Sequence, residues 1–102
     1  MRLAFTPLAE QDLEAIADYI AADNPVRALS FVRELRTQCQ RITLNPPGYR
    51  LRPELGDRIR SCAHGHHVIF FESNSDVVVI VRILHGARDI PAVFGADPEP
   101  PG

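Results

Sequence analysis

The sequence predicts an α+β domain with an N-terminal strand and an antiparallel helix hairpin packed on an antiparallel β-sheet. Two observations carry this prediction. In the first half of the chain, two segments have apolar residues at helical spacing, and each begins with a capping residue followed by proline. The second half contains three short runs rich in valine, isoleucine and phenylalanine, separated by polar turns. That pattern is typical of a three-strand meander.

The first strand and helix come from the N-terminal 20 residues. Residues 2–5 alternate weakly between polar and apolar side chains, which predicts a short strand. Thr6 supplies an N-cap hydroxyl and Pro7 stands at the first helical position, so the helix begins there. Its apolar stripe consists of Leu13, Ile16, Ala17 and Ile20.

The second helix begins at Asn24 and Pro25, which repeat the same capping pattern. The short break between the two helices predicts an antiparallel hairpin. "NPPG" at residues 45–48 ends the second helix. Its apolar residues, spaced by three and four, are Ala28, Val32, Leu35, Cys39 and Ile42.

The meander strands are predicted at residues 58–63, 68–71 and 77–84, with turns at "HGHH" (64–67) and "SNSD" (73–76). We expect one domain over residues 1–96. The remaining residues, "DPEPPG" at 97–102, are expected to form a disordered tail.

The last strand is apolar on both of its predicted faces. Because two helices cover only one face of a sheet, the other face is a candidate partner-binding surface. The turn that carries Ile90, Val93 and Phe94 is expected to cover part of it. Strict alternation places Val78, Ile80 and Leu84 on one face and Val77, Val79, Val81 and Ile83 on the candidate partner-binding face.

Charge is unevenly distributed along the chain. The net charge is −2, which gives no general basic field for sequence-specific nucleic-acid binding. All eleven basic residues are arginine, and residues 26–60 hold eight of them against three acidic residues, a local net charge of +5. Guanidinium groups suit bidentate contacts with carboxylates and phosphates. Two of these eight arginines, Arg58 and Arg60, are also candidate partner-binding residues.

The location predicted from composition is cytoplasmic. No apolar run is long enough to cross a membrane, so no membrane association is expected. Acidic residues at positions 10, 12 and 14 come too early for a signal peptide. Cys39 and Cys62 are expected to be reduced.

No cofactor or metal site is expected. "CAHGHH" at residues 62–67 offers one thiol and three imidazoles, but it lacks the spacing of a tetrahedral zinc site and no second Cys/His pair follows it. The chain has no glycine-rich phosphate loop and no paired carboxylates for acid–base catalysis.

Four segments occur in a characteristic order: "YIAADNP" (19–25), "RIRS" (58–61), "VIFFE" (68–72) and "RILHGARD" (82–89). Together they resemble the ParE branch of the ParE/RelE toxin superfamily, whose members are toxins of type II toxin–antitoxin systems. The resemblance covers roughly residues 2–94 and implies the same helix hairpin on a sheet.

The resemblance implies a toxin without enzymatic activity that inhibits DNA gyrase. It also implies a cognate antitoxin, with an acidic C-terminal segment, that neutralises the toxin in a hetero-oligomer. The target-interaction candidates are Arg82, His85, Gly86 and Arg88.

Two alternatives stay open. RelE-type toxins cut mRNA in the ribosome. The resemblance implies that their cleavage site uses arginine or lysine residues together with a C-terminal tyrosine. Here Phe94 stands at the tyrosine position and His67 near the position of a sheet arginine, although His67 and His85 could serve as acid and base. The other alternative is a superfamily member that only binds its partner.

Arg82 and Gly86 carry structural expectations as well. Arg82 lies inside an apolar strand, where an unpaired charge would be costly, so a carboxylate partner is expected. We expect Glu72 across the hairpin or a carboxylate of the antitoxin. Gly86 is expected to let the chain turn sharply after the strand.

Overall fold

The computed structural model describes residues 1–95, so the domain end at 96 and the tail predicted at 97–102 lie outside the described residues. In chain order the elements are β1 (Arg2–Phe5), α1 (Pro7–Ala21), α2 (Pro25–Ile42), a 3₁₀ turn (Pro46–Gly48), β2 (Arg50–Leu51), β3 (Arg60–His64), β4 (His67–Ser73), β5 (Val77–His85) and α3 (Ile90–Phe94). The α+β fold class is confirmed. β2 lies in a segment predicted as loop and is only two residues long.

The sheet is mixed rather than wholly antiparallel. Its strand order is β1-β5-β4-β3-β2. The meander pairs antiparallel as predicted, but β1 pairs parallel with β5, with Arg2 opposite Val77 and Phe5 opposite Ile80. The helix hairpin and the first strands of the meander separate β1 from β5, and a connection of this length lets β5 run beside β1 in the same direction. No turn signal in the sequence indicates this parallel pairing.

Both helix starts have the predicted caps. The Thr6 hydroxyl accepts a hydrogen bond from the Ala9 N–H at 3.0 Å. The Asn24 side-chain oxygen accepts from the Arg27 N–H, also at 3.0 Å. Each cap satisfies a backbone donor that the first turn of a helix leaves without a partner.

The main core lies between the two helices and one face of the sheet. Leu35 and Cys39 of α2 are fully buried there, together with Phe71, Val78 and Ile80 of the sheet. The predicted stripe is correct except at one position. Phe31 is buried, Val32 is only half-buried, and the Phe31 ring lies against the imidazoles of β3 and β4.

A β-bulge overturns the predicted faces of the end of β5. Phe70 pairs with Arg82 but Phe71 pairs with Ile80, so Val81 is the extra residue. A bulge of one residue shifts the alternation that follows it. Ile83 therefore lies in the main core, not on the candidate partner-binding face, and Leu84 lies on the other face.

The second face of the sheet carries a smaller core. Phe70 and Leu84 pack there with Ile59 from the preceding loop and with Ile90 of α3. The rings of Phe70 and Phe94 meet edge to face, with centroids 5.0 Å apart. The expectation that the C-terminal turn covers part of this face is confirmed. The partly buried members of this core are Leu55, Val68, Val81, Val93 and Phe94.

Truncation of Leu35 tests the assignment of the helix face. Leu35→Ala is expected to lower the free energy of unfolding by about 2–5 kcal/mol, because it leaves a cavity in a fully buried site. Arg36→Ala, one residue later and half-exposed, is expected to cost less than ~1 kcal/mol. Urea denaturation of both variants measures the difference. Equal losses would show that the buried face of α2 is misassigned.

Candidate functional site

A groove of about 300 Å³ lies between α1 and the C-terminal end of β5. Its floor and walls are largely apolar, and its lining also includes one acidic, one basic and two imidazole side chains. The lining residues are Asp12, Ala15, Ile16, Tyr19, Ile20, His67, Ile83, Leu84, His85 and Arg88. Tyr19 is 84% exposed, so its ring stands at the rim in solvent.

Arg82 has the carboxylate partner that its position demands, but the partner is Asp12 of α1. The guanidinium Nε donates to Asp12 Oδ2 at 2.8 Å and Nη2 donates to Oδ1 at 2.9 Å. The hydrogen bond with Asp12 raises the pKa of Arg82 above its ordinary value. The expectation of a carboxylate partner is confirmed, and neither Glu72 nor an antitoxin is needed to supply it. Arg82 is thus engaged within the chain.

Asp12 also completes the open edge of β5. β1 pairs with β5 only as far as Ile80, and beyond that point side chains replace a neighbouring strand. The Thr6 hydroxyl donates to the Val81 carbonyl oxygen at 2.8 Å. Asp12 Oδ2 accepts from the Ile83 N–H at 2.9 Å. These contacts satisfy backbone groups at the edge and fix α1 against the strand.

Three imidazoles meet where β4 and β5 join the groove. The His67 and His85 rings lie edge to face with centroids 5.2 Å apart, and the His66 ring stacks on His85 at 6.1 Å. His85 Nδ1 accepts a hydrogen bond from the Ala87 N–H at 3.0 Å, which requires that nitrogen to be unprotonated. Among the residues that the structure describes, the buried His67 Nδ1 has no hydrogen-bond partner.

The chain turns at Gly86 directly after β5, as expected, but the backbone of Gly86 is not left-handed. Positive φ angles occur at Gly56 and Gly65, not at Gly86, so the turn after β5 does not need glycine's conformational freedom. A Cβ added at Gly86 would lie 3.4 Å from the His66 carbonyl oxygen, close to ordinary contact distance. The sharp turn that does use left-handed glycine is the β3–β4 connection, where Gly65 has a φ of +59°.

Arg88 is the predicted site residue whose charge is available at the groove. Its side chain is exposed and forms no ion pair within residues 1–95. Its N–H donates to the His85 carbonyl oxygen at 3.1 Å, which fixes the turn that carries it. The structure thus brings Arg88 and His85 to one end of the groove, while Arg82 is held by Asp12.

The candidate partner-binding residues do not share one surface. Val77 and Val79 are half-buried and line a shallow cleft with Arg58 and Glu72. Val81 packs against the second core. Arg60 lies elsewhere, since its guanidinium donates to the carbonyl oxygens of Tyr49 at 2.7 Å and Pro47 at 3.5 Å.

The two thiols and the histidines of the β3–β4 turn do not form a common site. Burial raises the pKa of the Cys39 thiol to about 12, and it raises that of Cys62 as well. His64 contacts Glu34 of α2 at 3.3 Å, away from the His66–His85 stack. Across residues 1–95, no three Cys, His, Asp or Glu side chains are placed to hold a metal ion. In the same range, no helix has the length and apolar character needed to cross a bilayer.

Sequence reasoning missed the contribution of α1 to this site. Ile16 and Ile20 were assigned to the core stripe, and Asp12 and Tyr19 were not assigned at all. The sequence does contain a signal for this helix face. Positions 12, 16, 19 and 20 follow one another at intervals of four, three and one residues, which places all of them on one side of α1. Asp12 lies at the N-terminal end of this face, and in the structure its partner is Arg82.

Acid is expected to destabilise the fold through His67. Burial lowers the pKa of His67 below 6.5, and the neighbouring imidazoles lower it further. The unfolded chain therefore takes up this proton first as the pH falls. The stability contributed by neutral His67 is present above pH ~6.5 and is lost as the pH falls through the lowered, folded-state pKa.

Melting temperatures between pH 8 and pH 5 measure this effect. The wild-type chain is expected to show a larger fall in melting temperature over that range than His67→Phe, while the exposed control Gln11→Ala keeps the wild-type dependence on pH. The range stops at pH 5 because the pKa values of Glu34 and Glu54, lowered mainly by hydrogen bonds from arginine, lie below 4.5. Equal slopes for wild type and His67→Phe would contradict the assignment.

Comparisons with known proteins agree on one family. A family model described as the ParE toxin of the type II toxin–antitoxin system, parDE, matches residues 3–90. A solved chain titled "Chromosomal ParDE TA system from P. aeruginosa" is 25% identical, with a TM-score of 0.70 over 83% of this chain and 95% of that chain. No curated protein sequence matches.

Proposed function

The chain belongs to the ParE toxin family of type II toxin–antitoxin systems, and from this premise we propose that it inhibits DNA gyrase and is neutralised by a cognate antitoxin. The protein acts by binding, without catalysis, in the cytoplasm. Its target contact is the groove between α1 and β5, with Arg88 and His85 at its end.

The observation that carries this proposal is the contrast between the two arginines of "RILHGARD". Arg82 is held by a bidentate ion pair with Asp12, whereas Arg88 stands exposed at the end of an apolar groove. An unengaged guanidinium beside an apolar wall can bind a carboxylate of a protein target while the wall supplies buried area. Such a combination favours a protein partner over a small metabolite.

We propose that the antitoxin segment binds in the cleft formed by Val77, Val79 and Arg58. Arg58 is exposed and in no ion pair within residues 1–95, so it can meet an acidic residue of the antitoxin. The half-buried valines supply apolar contact beside it. Antitoxin and target then occupy different surfaces of the toxin.

Arg58→Glu tests the placement of the antitoxin. The reversed charge repels an acidic segment, so we expect antitoxin binding to weaken at least tenfold in calorimetry with the purified antitoxin. The control Arg33→Glu changes an exposed arginine on α2 that does not line this cleft, and it is expected to leave the affinity unchanged. Unchanged affinity for Arg58→Glu would remove the cleft as the antitoxin site.

A second candidate function is ribosome-dependent mRNA cleavage. The close pair of His67 and His85 with Arg88 in one groove favours it, because imidazoles can act as acid and base beside a cation. Against it, Phe94 occupies the position where the resemblance to RelE places a tyrosine, and the Phe94 ring packs on Phe70. A phenyl ring has no proton to give a leaving group.

Expression in cells separates the two functions. The toxin produced without its antitoxin is expected to arrest growth, give filamentous cells and induce the response to DNA damage. Production together with the antitoxin is expected to restore growth. Cleaved mRNA without DNA damage would favour the ribonuclease, and normal growth with retained antitoxin binding would indicate a member that only binds its partner.

A further inference from the structure

A separate basic surface lies along the outer side of α2, where it meets β3. Here a shallow cleft of about 260 Å³ is lined only by polar side chains. The lining residues are Arg33, Glu34, Thr37, Gln38, Arg41 and His64. We refer to them as the α2 basic face.

The net charge of the α2 basic face is positive. Arg33 and Arg41 are exposed and in no ion pair within the part of the chain that the structure describes. Glu34, the acid in the lining, is already engaged by Arg27 at 2.7 Å and by His64 at 3.3 Å. The hydrogen bond from Arg27 lowers the pKa of Glu34, so the carboxylate stays paired rather than repelling an anion.

The chemistry of the lining favours phosphates over a protein partner. Protein interfaces are anchored by apolar or aromatic side chains in pockets, and the one aromatic ring in this cleft, the His64 imidazole, is held by Glu34. Phosphate backbones need only guanidinium groups and neutral hydrogen-bond donors, which the two arginines, Thr37 and Gln38 supply.

The exposed residues of α1 and α2 differ in the sign of their charge. α1 carries Glu10, Glu14 and Asp18 on its exposed positions, so a polyanion is repelled by one helix of the hairpin and attracted by the other. Along α2, eight residues separate the two arginines, which is about 12 Å of helix. That distance is close to the ~12 Å width of the major groove of B-DNA, so the two side chains can reach phosphates on both sides of it.

We propose that the α2 basic face contacts the phosphate backbone of duplex DNA, without reading its sequence. This inference rests on the proposed function, since gyrase holds a DNA duplex and a bound toxin would lie beside it. The contact adds affinity for the enzyme–DNA complex that the groove beside α1 does not provide. Binding that depends on phosphates releases counterions and therefore weakens as salt rises.

Salt-dependent binding to DNA alone tests the proposal. Fluorescence anisotropy with a labelled 24-base-pair duplex, in the absence of gyrase, gives the slope of log affinity against log salt concentration. Each phosphate contact contributes about 0.9 to that slope, so Arg33→Gln/Arg41→Gln is expected to lower it by about 1.8. Each single variant is expected to lower it by about 0.9. The control Arg36→Gln, whose guanidinium faces Glu10 at 3.5 Å, is expected to keep the wild-type slope.

Several outcomes would overturn the proposal. The first two are no binding of the wild-type chain to DNA at low salt and an unchanged slope in the double variant. The third is a steeper slope on an RNA duplex than on DNA. The fourth is a loss of antitoxin affinity in the double variant while its DNA binding is intact. A supercoiling assay separates this inference from the proposed function. Inhibition of gyrase without DNA binding rejects the DNA contact alone, and DNA binding without inhibition rejects gyrase as the target alone.

Discussion

Arg82→Ala is expected to lower the free energy of unfolding by about 3–5 kcal/mol, because it leaves the Asp12 carboxylate without its guanidinium in a mostly buried site. The two side chains are only 19% and 11% exposed, so the pair is poorly screened by solvent. Asp12 would keep one hydrogen bond, from the Ile83 N–H, which does not neutralise its charge. Urea denaturation of the purified variant measures the loss.

A double-mutant cycle separates the ion pair from the loss of packing. Asp12→Ala/Arg82→Ala is expected to be less destabilised than the sum of the two single variants, since it removes both charges together. Arg33→Ala, an exposed arginine on α2, is the matched control and is expected to cost less than ~1 kcal/mol. Additive single losses would mean that the two side chains are not coupled and that α1 is held on β5 by apolar contacts alone.

Arg88→Ala is expected to abolish growth arrest while leaving the fold intact. Arg88 is exposed and its guanidinium has no ion-pair partner within residues 1–95, so removing it leaves no buried group unsatisfied. Its loss removes the cation at the end of the groove, where a carboxylate of the target would bind. Growth after induction, with melting curves and antitoxin affinity on the purified variant, gives all three readouts.

Arg88→Lys refines this result. Lysine keeps the charge but not the planar pair of donors, so partial toxicity is expected if the target presents a carboxylate to a bidentate contact. Arg2→Ala, another exposed arginine, is expected to remain fully toxic. Full toxicity of Arg88→Ala would mean that "RILHGARD" ends a strand and carries no target contact.

Local signals in the sequence predicted the helices well. Thr6–Pro7 and Asn24–Pro25 each place a cap and a proline at a helix start, and both helices begin there. Such signals act between residues close in the chain, so sequence alone contains them. The apolar stripe of α2 was correct for the same reason, apart from the exchange of Val32 for Phe31.

Non-local contacts explain what the sequence did not predict. The bulge at Val81 depends on how β4 and β5 pair, and it moves Ile83 to the main core although its residue type is unchanged. Asp12 reaches Arg82 across 70 positions of sequence, and nothing near either residue indicates the other. Strict alternation and neighbouring charges therefore gave the wrong face for Ile83 and the wrong partner for Arg82.

Gly86 is another position where the residue type alone does not determine the backbone conformation. The sharp turn expected after β5 is present, yet its glycine does not adopt the left-handed conformation, which Gly65 adopts in the preceding hairpin. His85 and Arg88 lie close together because one ends β5 and the other stands in the turn that follows it. The α1 wall of the groove, which includes Ile16 and Tyr19, appears only when the helix packs on β5.

Gyrase inhibition is measured most directly with the purified chain and purified gyrase on relaxed plasmid. We predict that the chain blocks ATP-dependent supercoiling or traps cleaved plasmid, that equimolar antitoxin relieves the effect, and that the folded Arg88→Ala variant has no effect. Undiminished supercoiling at a large excess of folded wild-type chain, confirmed by antitoxin binding in the same preparation, would contradict the proposed function.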